Sequence, residues 1–85
     1  MSYLVAHRYG LTRVSPTAPE REGGWRQVWE HPSGLRAAKN PATGRWHVTD
    51  GRRVLGEGFC SSLRAAALRI ERTAAALHNP QETNQ

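Results

Sequence analysis

Apolar residues recur along this chain with two different periods, and the change of period divides it. Leu63, Ala66, Ala67, Ile70, Ala74 and Leu77 fall at three- and four-residue spacing, which places them on one face of an α-helix. The spacing predicts a helix from about Ser61 to about His78. Ser61 or Ser62 supplies a hydroxyl cap for its first free N–H groups, and its alanines favour helix intrinsically. His78 suits the negative end of the helix dipole, and Asn79-Pro80 ends the run.

Upstream the runs are short, alternate with a period of two and are separated by turn residues. Trp25 to His31 stops at Pro32-Ser33-Gly34, Leu35 to Asn40 stops at Pro41-Ala42-Thr43-Gly44, and Arg45 to Thr49 stops at Asp50-Gly51. Arg53 to Phe59 is a fourth, weaker strand in which Gly56 and Gly58 signal a bulge or an early end. Connections this short imply an antiparallel meander. Tyr3, Val5, His7 and Tyr9 alternate weakly and predict an edge strand. Ser15 to Gly24, rich in proline, glycine and charge, reads as a mobile linker. The expected organisation is therefore a strand-like segment and linker over residues 1–24, a β-β-β-(β)-α domain over 25–79, and a disordered tail over 80–85. The fold class is α+β, with a three- to four-stranded antiparallel sheet packed against one C-terminal α-helix.

Composition changes this picture in two ways. Leu, Ile, Val and Phe number 14 of 85 residues, so the core is small and association with a second copy or another partner would add burial. Net charge is +5, carried by eleven arginines and the single Lys39. Arginine's planar fork suits phosphates, carboxylates and guanine edges, although a GC-rich genome also enriches Arg, Ala and Gly together. The single Cys60 excludes an internal disulfide and suits a reducing compartment. With no apolar run long enough for a signal core or membrane span, a cytoplasmic protein of a bacterium or its virus is expected.

Candidate chemistry is sparse. The carboxylates Glu20, Glu22, Glu30, Asp50, Glu57, Glu71 and Glu82 show no spacing that forces two together, and Gly56-Glu57-Gly58 lacks the remainder of a phosphate-loop fingerprint. His7, His31, His47 and His78 lack zinc-ligand spacing. Neither an enzyme nor a metal or other cofactor is expected. In the third strand Trp46 and Val48 share the face expected to meet Leu63 and Ile70. In the first, Trp25, Gln27, Trp29 and His31 alternate against Arg26, Val28 and Glu30. If Val28 faces the helix, Trp25 and Trp29 lie on an open face with His47 and some of Arg36, Lys39, Arg45, Arg52 and Arg53. If the tryptophans face the helix, Val28 is outside. Alternation alone leaves both readings open. On the helix, Arg64, Arg69 and Arg72 project at roughly 100°, 240° and 180° from Leu63, so they form no single stripe. Ala65, Leu68 and Ala75, beside Arg72, make a second small patch suited to a partner protein or a homodimer.

The stretch Val54-Leu55-Gly56-Glu57-Gly58-Phe59-Cys60-Ser61-Ser62-Leu63-Arg64-Ala65-Ala66-Ala67 resembles the strand-to-helix junction of the plant ethylene-response-factor DNA-binding domain, and the arm-type DNA-binding domains of phage integrases are similar. The resemblance covers about Trp25 to Ala75. It departs from the pattern in the extra glycine before Phe59, the first helical turn without acidic residues and the added N-terminal segment. It implies an open sheet face that enters the major groove, with Arg26, Trp29, Arg36, Lys39, Arg45 and Trp46 as contacts. The expected function is that of a small accessory nucleic-acid-binding protein of a phage or mobile element, with Arg52 and Arg53 also on the binding surface. The alternative is a protein-binding inhibitor or regulator, such as an anti-CRISPR-like phage protein, acting on a host protein through the Leu68 patch.

Overall fold

A computed structural model describes residues 2–78 of the chain. Its elements in order are α1 (Ser2–Tyr9), β1 (Thr12–Val14), α2 (Ala18–Glu22), β2 (Gln27–Glu30), β3 (Arg36–Asn40), β4 (Arg45–Thr49), β5 (Val54–Cys60) and α3 (Leu63–His78). The strands form one antiparallel sheet in the order β1-β2-β3-β4-β5. The α+β class, the antiparallel meander and the C-terminal helix are as the sequence implies, with one strand more than the three or four expected.

Each connection has a local cause. Asn40 closes the β3–β4 turn by accepting from the Gly44 N–H at 2.7 Å, while its side chain accepts from Ala42 N–H at 2.9 Å. Gly44 sits at φ +73, a left-handed conformation that costs glycine nothing. Asp50 organises the β4–β5 turn by accepting from the N–H groups of Arg52 and Arg53 at 2.9 and 3.0 Å. Strand β5 bulges against β4: Trp46 pairs with Cys60 and Val48 with Leu55, so the excess residues lie around Gly56 and Gly58, both at φ +77. Helix α3 starts one turn's hydrogen bonding from Ser62, whose side chain accepts from Ala65 N–H at 3.1 Å.

One face of the sheet carries α1 and α3. Its core joins Ala6, Leu11, Leu35, Ala37, Trp46, Val48, Cys60, Leu63, Ala66, Ala67, Ile70 and Ala74. Trp46 and Val48 do meet Leu63 and Ile70 there, and Trp29 packs half-buried against the same cluster.

Three expectations for the N-terminal third are corrected. Tyr3 to Tyr9 is helix, not strand, because Ala6 is buried against the core and a strand could not be capped as this segment is. Gly10 N–H reaches His7 O and Leu11 N–H reaches Ala6 O, with Gly10 at φ +70. This is the paired bonding of a Schellman cap. The alternation misled because Val5 and Tyr9, four apart, share a helix face as readily as a strand face. The run Thr12–Val14 between Gly10 and Ser15-Pro16 is the unanticipated strand. Third, residues 15–24 are not a loose linker. Thr17 caps α2 by a capping box, accepting from Glu20 N–H while the Glu20 carboxylate accepts from Thr17 N–H at 2.8 Å. The tail expected over 80–85 lies outside the described residues.

Candidate nucleic-acid interface

The sheet face turned away from α3 is the one that the resemblance implies is open. Neighbouring strand residues point to opposite faces, so with Trp29 on the α3 side, Val28 and its cross-strand partner Ala38 lie on the other. Both are fully buried although they lie outside the helix-side cluster. The segment 15–25 covers them. Thr17 donates its hydroxyl to Gly51 O at the β4–β5 turn, and Trp25 meets the His47 ring edge-on with centroids 4.5 Å apart. The two tryptophans therefore part company: Trp29 belongs to the helix-side core and Trp25 to the α2 side. The open sheet face implied by the resemblance is roofed.

This placement removes Arg36 from any ligand surface. Its guanidinium binds both oxygens of Glu20 at 2.9 and 3.2 Å, one oxygen of Glu30 at 3.2 Å and Ser15 O at 3.0 Å. Its side chain is only 11% exposed and that of Glu20 2%. A fork saturated by two carboxylates has no donor geometry left for a phosphate. It is a clamp holding α2 to the sheet. The pairing escaped the sequence reading because Glu20 was placed in a linker, sixteen residues from its partner.

Arg52 and Arg53 lie exposed in the β4–β5 turn at this same end of the sheet. Here also the His31 ring links the β2–β3 turn to α3. Its Nδ1 accepts from Ser33 N–H at 3.0 Å, which leaves the proton on Nε2, 2.5 Å from a Glu71 carboxylate oxygen. The Ser33 hydroxyl lies 2.8 Å from Nδ1 and accepts from Leu35 N–H at 3.3 Å. These bonds lock a turn.

The opposite end differs in composition and in state. Arg13, Arg26, Gln27 and Lys39 line a shallow groove of about 330 Å³ with Pro41 and Gly44 of the β3–β4 turn, and no described carboxylate lines it. Arg13 lies 5.7 Å from the Trp29 ring centroid and Lys39 5.8 Å from that of Trp46. On the far side of the turn, Arg45 stacks 4.2 Å from the ring centroid of Phe59, a residue 46% exposed. Among the described residues none of Arg13, Arg26, Lys39 and Arg45 forms an ion pair. Helix α3 begins at this end, so its positive dipole end has the same sign. Three expected contacts, Arg26, Lys39 and Arg45, thus gather here, joined by Arg13 and Gln27, which are not among the expected contacts. Trp46 is 4% exposed and acts as the surface beneath Lys39 rather than as a contact.

His47 sits behind Arg45 with its Nδ1 buried and without a hydrogen-bond partner among the described residues. Burial, then the positive charges of Arg69 and Arg45, hold its pKa below the ordinary histidine value.

The second patch on α3 is less coherent than its spacing implies. Ala65 is half-buried and packs on the core, while Leu68, Arg72 and Ala75 are exposed, Leu68 by 42%. Among the described residues no His, Cys, Asp or Glu cluster has the makings of a metal site, and no helix is long and apolar enough to cross a membrane. Comparison with protein-family models, with curated proteins and with solved structures finds no match for this chain.

Proposed function

We propose that this protein is a small accessory nucleic-acid-binding protein that holds the phosphate backbone at the cationic end of its sheet. The observation that carries this reading is the convergence of Arg13, Arg26 and Lys39 on a groove with no described carboxylate in its lining. Cations left unneutralised by the fold attract polyanions and release condensed counterions when phosphates replace them. Two of the three are held over tryptophan rings, which limits the conformational freedom lost on binding. Titration of fluorescently labelled DNA and RNA at low ionic strength tests the proposal. Binding that weakens steeply with salt and falls in Arg26→Gln plus Lys39→Gln supports it; no binding at low salt, where charge-driven affinity is greatest, sinks it.

A second reading, a protein-contact role, rests on the surface where α1 meets α3. Leu4, 67% exposed, lines a groove of about 470 Å³ between α1 and α3 with Val5, His7, Arg8, Tyr9 and Arg64. A pull-down that depends on Leu4 and Leu68 but not on Lys39 favours this reading.

A further inference from the structure

The chemistry of the sheet end says more than that its ligand is anionic. We infer, resting on the proposed nucleic-acid role, that the ligand is single-stranded, with its phosphates on Arg13, Arg26, Lys39 and Arg45 and a base stacked on Phe59. The residues involved form a row across the sheet rather than along a strand. Arg13 is next to last in β1, Arg26 immediately precedes β2, Lys39 is next to last in β3, Arg45 opens β4 and Phe59 is next to last in β5. Register keeps the row together: Gln27 faces Lys39, Lys39 faces Trp46, Asn40 faces Arg45 and Trp46 faces Cys60. With strands roughly 4.8 Å apart, the row crosses about 19 Å from β1 to β5. It begins in the groove on the α3 side, passes the Pro41–Gly44 turn and ends on the other face at Arg45 and Phe59.

Such a track suits one strand and not two. Reading a duplex requires an element that enters a major groove roughly 12 Å wide, usually a helix or a bare two-stranded ribbon. Here α1 and α3 cover one sheet face and the α2 segment the other, while the arginines of α3 point in different directions. A single strand needs only a narrow line of cations and an exposed ring. Phe59 supplies the ring, since the tryptophans are less available: Trp46 is buried, and Trp25 and Trp29 are half-buried. The Arg45 guanidinium, over the Phe59 ring, offers its own planar outer face as a further surface on which a base stacks.

The test compares a labelled oligothymidylate of about twelve nucleotides with a duplex of equal length, by fluorescence anisotropy from about 20 to about 200 mM salt. The expected result is tighter binding of the single strand, with log K falling against log salt at a slope of about −2 to −3, as four cations at about −0.7 each require. Phe59→Leu, which keeps an apolar side chain, should weaken the oligothymidylate about 5- to 100-fold without changing the slope. Phe59→Tyr should restore binding, and Lys39→Gln should reduce the slope by about 0.7. Equal or tighter duplex binding, or unchanged affinity in Phe59→Leu, overturns the inference and leaves the broader proposal standing. If neither nucleic acid binds at the lowest salt, both fall.

Discussion

The two ends of this sheet are built from the same residue types and differ in what the charges face. At the end formed by the β2–β3 and β4–β5 turns, Arg36 is enclosed by Glu20 and Glu30, and His31 meets Glu71. Asp50 there spends its carboxylate on the backbone of Arg52 and Arg53. At the β3–β4 end, Arg13, Lys39 and Arg45 lie over aromatic rings instead. An ion pair fills an arginine's donors and fixes its place in the fold. A cation–π contact places the charge but leaves its N–H groups free for a ligand. The comparison teaches that what an arginine of this chain can offer depends on its partner: Arg36 is spent on Glu20 and Glu30, whereas Arg13 and Arg45 lie over rings and keep donors that the proposed ligand would meet.

The sharpest way to break the comparison is to treat both ends alike. Arg36→Ala strands the buried Glu20 carboxylate, and removing one member of a buried pair costs about 3–5 kcal/mol. Chemical denaturation should show that loss, whereas Arg26→Gln plus Lys39→Gln should leave stability within about 1 kcal/mol. Replacing the whole clamp by Arg36→Met with Glu20→Leu should recover much of the stability, since well-packed apolar pairs often match buried ion pairs. If Arg36→Ala instead abolishes nucleic-acid binding in protein that remains folded, the division of labour is wrong.

The next largest effect concerns binding. Arg26→Gln plus Lys39→Gln should flatten the salt dependence for single-stranded ligand by about 1.4, while Arg52→Gln plus Arg53→Gln should change it less. Equal losses from the two pairs would mean that both turn regions meet the ligand.

Acid provides a finer discrimination. The folded-state pKa of His47 is lowered, so between that value and the ordinary value near 6.5 the unfolded chain binds the extra proton. The contribution of His47 to stability is thus fully present above about pH 6.5 and is lost as pH falls through the folded-state value. His47→Gln should reduce the difference in denaturation midpoint between about pH 7.5 and about pH 5. Asp50 is also lowered, by hydrogen bonds from the Arg52 and Arg53 backbone. Its contribution is present above the ordinary carboxylate pKa near 4 and is lost at lower pH. Asp50→Asn should therefore lower stability slightly at neutral pH and flatten the acid limb of the stability profile. The smallest effect belongs to Leu68→Arg, expected to change stability by less than about 0.5 kcal/mol and to leave nucleic-acid binding intact; loss of binding there would move the interface to α3.

Local chemistry made much of the fold legible. The three- and four-residue spacing from Leu63 to Leu77 determines a helix with one apolar face, and the turn residues at 32–34, 41–44 and 50–51 determine where a meander reverses. These signals act through neighbours in sequence, so they survive without knowledge of the rest. Arg26, Lys39 and Arg45 became candidate contacts through the resemblance to the DNA-binding domains, Lys39 and Arg45 also through the alternation that leaves one sheet face open. Arg13 and Gln27 did not, because Arg13 lies in a three-residue strand whose sequence signal is weak and Gln27 gains meaning only beside Lys39.

Tertiary structure alone decided which face each tryptophan occupies, because alternation defines two sets of side chains without saying which set is covered. Here both sets are covered: Trp29 by the α3 side, Val28 by a segment that composition marked as a linker. It also decided the fate of Arg36. Sequence determines that an arginine is charged and has a planar fork; whether that fork is spent within the fold depends on Glu20 and Glu30 arriving from other elements, and only the packed chain brings them together.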